Sequence, residues 1–124
     1  MTVLLPGPHV DSRVVSIASE PVVRRVVEAG VSVYEFQPTM MHAKVVLVDD
    51  DLSAVGSANF NSRSLHKDDE VMVVSSDRDL AARLGRHFER DLESSRLKRR
   101  EDFEQLPWWR RALAALAAPL RGEM

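Results

Sequence analysis

The sequence predicts an α/β fold in which a mixed β-sheet is flanked by helices. Three observations predict it. Apolar runs of strand length recur at Val3 to Leu5, Val31 to Phe36, Val45 to Val48 and Glu70 to Val74. Apolar residues at helical spacing occupy the stretch after Ser19 and the stretch after Asp77. Asp49-Asp50-Asp51 interrupts the centre of the chain between two such runs, as the turn of an antiparallel hairpin does. Strands that alternate with helices pack as layers around one core.

Each element follows in order. Val3 to Leu5 is a short strand that stops at Pro6-Gly7-Pro8. Asp11 to Ala18 reads as helix or turn. Ser19 can cap a helix with Pro21 in its first turn, where a missing N–H costs nothing. Val22, Val23, Val26 and Val27 then form its apolar face, and Gly30 ends it. Val31 to Phe36 is the next strand. Val45 to Val48 shows no polar alternation and reads as a strand buried on both faces. Leu52 to Val55 returns antiparallel to it, and Gly56 leaves where backbone must approach something closely. Glu70 to Val74 is a further strand. Asp77 opens a helix with Leu80, Leu84, Phe88 and Leu92 as its packing stripe.

The chemistry concentrates in Met41-His42-Ala43-Lys44-Val45-Val46-Leu47-Val48-Asp49 and Val55-Gly56-Ser57-Ala58-Asn59. These fit H-x-K-x4-D followed by G-S-x-N. Residues two apart in a strand share a face, so His42 and Lys44 are expected side by side. The tight hairpin returns Ser57 and Asn59 beside them. An imidazole is a nucleophile and proton carrier. A lysine suits a non-bridging phosphate oxygen as a point charge. A serine and an asparagine donate to the same oxygens as charge builds on them. A single histidine or lysine beside a strand is usually a solvated polar residue; the joint pattern at fixed gaps points to a phosphate site.

On these residues the chain resembles the phospholipase D superfamily, and more narrowly the C-terminal half of a bacterial cardiolipin synthase. Leu4-Leu5-Pro6-Gly7, Glu28-Ala29-Gly30-Val31, Tyr34-Glu35-Phe36-Gln37-Pro38, Arg63-Ser64 and Glu70-Val71 extend the likeness over about residues 3 to 120. The resemblance implies that His42 forms a phosphohistidine or protonates the leaving group. It implies that Lys44 and Asn59, with Ser57 beside them, hold phosphate oxygens, and that Glu70 orients the imidazole. Asp49, Gly56, Arg63 and Ser64 are implied to be structural parts of the motif. It implies neither a metal nor another cofactor. Two positions depart from the family pattern. Asn61 stands where an Asp is usual, and Asp68 where an Asn is usual. Asp68 adds a charge near Glu70, which would raise the proton affinity of both carboxyls if they are close.

Such halves usually open with a further strand and helix, so an N-terminally truncated half-domain is expected, with a sheet edge and a sheet face left bare. Residues 1–95 are assigned to this half-domain and 96–124 to a basic, tryptophan-containing helical tail. The tail holds Arg96, Lys98, Arg99 and Arg100, then Pro107-Trp108-Trp109-Arg110-Arg111 and the alanine-rich stretch to Leu120. Trp108 and Trp109 beside arginines suit a membrane interface. A helix packed on the domain's own core, or on a partner half, fits the same residues equally.

At 124 residues the chain can bury one modest core, and its net charge of −2 exerts no global pull on nucleic acid. The absence of cysteine excludes disulfides and thiolate chemistry and suits the cytoplasm, with peripheral contact on the inner membrane face through the tail. No signal peptide or membrane-spanning run is evident. The leading expectation is therefore a phosphatidyltransferase or phosphodiesterase half acting on a phospholipid, completed by a second H-x-K-bearing half or by a homodimer. His9, His66 and His87 lack the spacing to supply a second motif. The alternatives are an inactive remnant of a truncated gene and a homodimeric nuclease-type phosphodiesterase. The mild negative charge and absent basic stripe argue against nucleic acid.

Overall fold

The computed structural model describes residues 1–10, 13–59 and 69–104. It has six strands and three helices among them: β1 Thr2–Pro6, α1 Arg13–Glu28, β2 Ser32–Phe36, β3 Lys44–Val48, β4 Leu52–Gly56, β5 Met72–Ser76, α2 Arg78–Glu93, β6 Ser95–Leu97 and α3 Arg100–Glu104. The α/β class and the flanking helices agree with expectation. The sheet is divided in two. β1 and β2 are parallel and β6 joins β2 antiparallel, so this first sheet is mixed. β3, β4 and β5 form an antiparallel meander. Helix α2 touches β2 and β6 on one side and β3 and β4 on the other, and so bridges the sheets.

α1 departs from expectation. It is one continuous helix with Pro21 inside it, and Ser19 is an interior residue whose hydroxyl donates to the Ser16 carbonyl at 2.8 Å. Proline removes one helical hydrogen bond and crowds the preceding turn, so sequence reasoning starts a helix there. Packing outweighs that penalty: Ala18 is fully buried, and Ile17, Val23, Val26 and Val27 are partly so. The C-terminus agrees with the reading. Gly30 has φ +86°, its N–H reaches the Val27 carbonyl at 3.0 Å, and the Val31 N–H reaches Val26 at 3.2 Å. That pair of bonds satisfies the last helical carbonyls only if one residue adopts left-handed geometry, which glycine does freely.

Asp77 caps α2 as predicted, its carboxylate accepting from the Asp79 and Leu80 amides at 2.9 and 3.1 Å. Ala81 is the most buried position of that helix, with Leu84, Phe88 and Leu92 partly buried and Leu80 more open. Among the described residues the buried apolar core is small: Ala18, Val33, Ala81 and Phe103. Ser53 is buried with them in the meander, and its hydroxyl has no hydrogen-bond partner.

The reading of Val45 to Val48 as buried on both faces is corrected. Val45 and Val48 are 40% and 44% exposed. β3 is an edge strand, and an unbroken apolar run reports strand propensity without saying how much of the strand is covered. β5, the opposite edge, is more open still, with Val73 and Val74 each 64% exposed. β5 also begins at Met72, so Glu70 lies ahead of the strand instead of inside it.

β6 was not anticipated. The boundary expected after residue 95 falls inside it, and Arg96 and Lys98 of the basic tail are tied into the first sheet. Arg96 lies opposite Glu35 in the ladder and bridges Glu35 and Asp102 at 3.0 Å each. Lys98 contacts Glu35 at 2.5 Å and lies over the Phe103 ring, 5.4 Å from its centroid. Among the described residues no helix is long and apolar enough to cross a membrane.

Candidate functional site

The site forms at the end of the meander opposite the Asp49–Asp51 turn. Asp49 adopts φ +53° there, a left-handed geometry that Asp tolerates better than most residues. In the register, Lys44 faces Gly56 and Gly56 faces Met72. The residues just beyond that row therefore lie at one end of the meander: His42 before β3, Ser57 after β4, and Glu70 and Val71 before β5.

His42 lies in the loop ahead of β3, exposed, so strand alternation does not govern its side chain as the sequence reading assumed. Lys44 opens β3 and is partly buried; its Nζ turns back and donates to the His42 carbonyl oxygen at 2.9 Å. The cation is thus held against the backbone of the residue that carries the imidazole. Asn59 is exposed two residues beyond Ser57.

Ser57 is the most constrained of the set. Its amide donates to the Val71 carbonyl at 3.0 Å, and its Oγ accepts from the Val71 amide at 3.1 Å. The same hydroxyl donates to Glu70 Oε2. A hydroxyl has one proton, so while Ser57 serves Glu70 it has none to give a phosphate oxygen. Ser57 must rotate to become a phosphate donor. Glu70 can serve further partners at once, because a carboxylate accepts at two oxygens. Gly56 makes this packing possible: a Cβ there would fall on the Val71 carbonyl and against Met72.

A groove of about 600 Å³ opens beside His42 and touches none of Lys44, Ser57 or Asn59. Leu5, Pro8, Val10, Met40 and Met41 give it an apolar side. Ser16, Ser19, Glu20 and Val23, one stripe of α1, line it as well. Glu35, Arg96 and Lys98 also line it. Sequence reasoning missed this feature; the apolar Met40-Met41 pair directly before His42 was the available signal. Arg63, Ser64, Asn61, Asp68, His66, Trp108, Trp109 and the stretch 112–120 lie outside the described residues.

The family model "Cardiolipin synthase, PLD-like domain" matches residues 1–92. The chain belongs to this PLD-like domain family. The chain is 39% identical to cardiolipin synthase A of Pseudomonas fluorescens over 103 residues, covering 83% of this chain and 21% of that protein. It is 34% identical to cardiolipin synthase 1 of Staphylococcus epidermidis over 96 residues, covering 75% of this chain and 20% of that one. The chain thus spans about a fifth of the length of these relatives. In fold it is similar to Nuc, a phospholipase D family member from Salmonella typhimurium, with a TM-score of 0.69 over 79% of this chain and 63% of that one, at 22% identity. The resemblance inferred from the motif and the α/β class both agree with these findings.

Proposed function

We propose that this PLD-like domain is one half of a phosphodiester-transfer site that moves a phosphatidyl group between alcohols. The observation that supports it is the position of His42, Lys44, Ser57 and Glu70 at one end of a three-stranded meander, in a chain of the cardiolipin synthase PLD-like family. Lys44 neutralises a phosphate oxygen, and Asn59 donates to another. Ser57 joins them on turning from Glu70. Glu70 orients the His42 ring.

Transfer needs two proton-handling groups in line. In the first step an imidazole nitrogen bonds to phosphorus while the bond to the leaving alcohol breaks, and a second imidazole donates its proton to that oxygen. In the second step the second imidazole takes the proton of an incoming alcohol, whose oxygen attacks phosphorus and frees the first imidazole. This chain supplies His42 for one of those roles. The other comes from a second H-x-K-bearing half or a second copy.

The test is release of a chromogenic alcohol from a phosphodiester, with the association state checked by sedimentation. Turnover is expected only when a second histidine-bearing half or a dimer is present, and His42→Ala should reduce it at least a thousandfold. Turnover by a verified monomer that disappears in His42→Ala would refute the two-histidine scheme. A complex with a competent second half that shows no His42-dependent turnover would sink the transferase reading itself.

A further inference from the structure

We propose that Met72 is a positioning residue for Lys44, acting across the empty side-chain place of Gly56. The proposal rests on the phosphate site described above and adds to it a residue from outside the motif. Three observations carry it. In the ladder Lys44 lies opposite Gly56 and Gly56 opposite Met72, so the three form one row across the meander. Directly opposed residues of an antiparallel pair project from the same face. Lys44 and Met72 therefore leave one face from the two outer strands, with no Gly56 side chain between them. Second, the Met72 sulfur lies 2.5 Å from where a Cβ on Gly56 would fall, so it occupies the place that glycine leaves. The thioether thus lies over β4, on the Lys44 side of its own strand. Third, both ends of the row are covered where their neighbours are open. Met72 is partly buried, while Val73 and Val74 after it are each 64% exposed. Lys44 is partly buried, while Val45 is 40% exposed.

Strands two places apart in a sheet are separated by about 10 Å. A valine on β5 is too short to reach toward β3 over that distance. Methionine is long, unbranched and adaptable. The methylene stem of lysine is an apolar surface that such a side chain can cover. Cover on the stem restricts the rotamers of Lys44 and favours the one found here, with Nζ turned back on the His42 carbonyl at 2.9 Å. The ammonium is then ordered at the His42 end before an anion arrives, and binding does not have to order it.

The experiment uses the full chain with its lysine side chains labelled for NMR, and inorganic phosphate as the probe. Met72→Ala removes the thioether, and Met72→Leu still reaches the sulfur position with similar volume. Val74→Ala trims the next residue on the same face of β5 and is the control. Before phosphate is added, Met72→Ala should move the Lys44 ε-methylene resonances toward those of free lysine. Met72→Leu and Val74→Ala should leave them as in the parent. On titration, Met72→Ala should weaken phosphate binding about fivefold, inside the range by which neighbouring side chains couple. Met72→Leu should restore most of that loss. If Met72→Ala does not fold, Met72→Val takes its place, since valine suits a strand and is too short to cross β4. A Met72 that only supports the fold would lower the melting temperature in Met72→Ala and leave the Lys44 resonances and the phosphate affinity unchanged in the folded variant. That result overturns the proposal. A loss in Val74→Ala as large as that in Met72→Ala overturns it too, because edge packing in general would then be responsible. Phosphate that fails to bind even the parent refutes the phosphate site; the Lys44 resonances without phosphate still decide whether Met72 positions the ammonium.

Discussion

Gly56 is the residue through which the meander and the candidate site depend on each other. Its missing side chain lets the Val71 carbonyl come close enough to meet the Ser57 amide, and that contact sets Ser57 against Glu70. Gly56→Ala forces backbone to move, because the obstacles include the Val71 carbonyl and the Met72 Cα as well as the more yielding Met72 sulfur. A loss of about 1–3 kcal/mol in urea unfolding is expected. A change smaller than about 0.5 kcal/mol, the usual range for a neutral surface substitution, would contradict this account. A glycine between a strand and a Ser-x-Asn is a legible sign of close approach. What it approaches was not legible. The run Val71 to Val74 is apolar throughout, and without alternation the sequence cannot say which residue starts the strand or which faces Gly56. The Ser57–Glu70 bond depends on that register. For the same reason His42 was read as part of β3, whereas the strand begins at Lys44.

Among the elements, those with local signals were readable and those closed by distant partners were not. Asp77 carries its own capping chemistry, and α2 follows from it. Gly30 likewise ends α1 within five residues of chain. β6 has only Ser95, Arg96 and Leu97, and charged neighbours make it look solvated. Its identity comes from Glu35, which lies 61 residues away from Arg96. The corner that β6 makes with β2 and α3 has a pH signature. The Asp102 carboxyl is held below the ordinary aspartate value of 3.8, chiefly by the hydrogen bond it accepts from the Arg99 amide, with Arg96 adding to it. The unfolded chain takes up that proton first as acid is added. The stabilisation is therefore complete above pH 3.8 and is lost as pH falls through the lower, folded value. Asp102 is partly exposed and its Arg96 partner more so, so solvent screening keeps the effect modest. Thermal melts between neutral pH and pH 3 should fall more shallowly in Asp102→Asn than in the parent. Parallel curves would show that this carboxylate contributes nothing.

At the scale of the molecule, one modest core is divided between two small sheets, and much apolar surface remains open. Val71, Val73 and Val74 are 70%, 64% and 64% exposed along β5, which is also an edge of the meander. An open strand edge lined with valine is a template for pairing with another chain. Concentration-dependent association is expected in sedimentation velocity, and Val73→Lys with Val74→Lys should suppress it. A parent chain that stays monomeric at every concentration tested would rule out this edge as a contact.

Sequence separation predicts that the two sheets close at different moments. Every strand of the meander lies between residues 44 and 76, joined by one tight turn and one longer connection. The first sheet waits for β6, whose residues pair with β2 across most of the intervening sequence. Contacts of long sequence separation must overcome loop-closure entropy before they return any stabilisation, and they form late. On a ribosome this order predicts that the His42 end of the hairpin assembles while β2 still has an open edge. The ion pairs of Glu35 with Arg96 and Lys98 come last, as the latch that completes the groove wall after the phosphate-facing end is already in place.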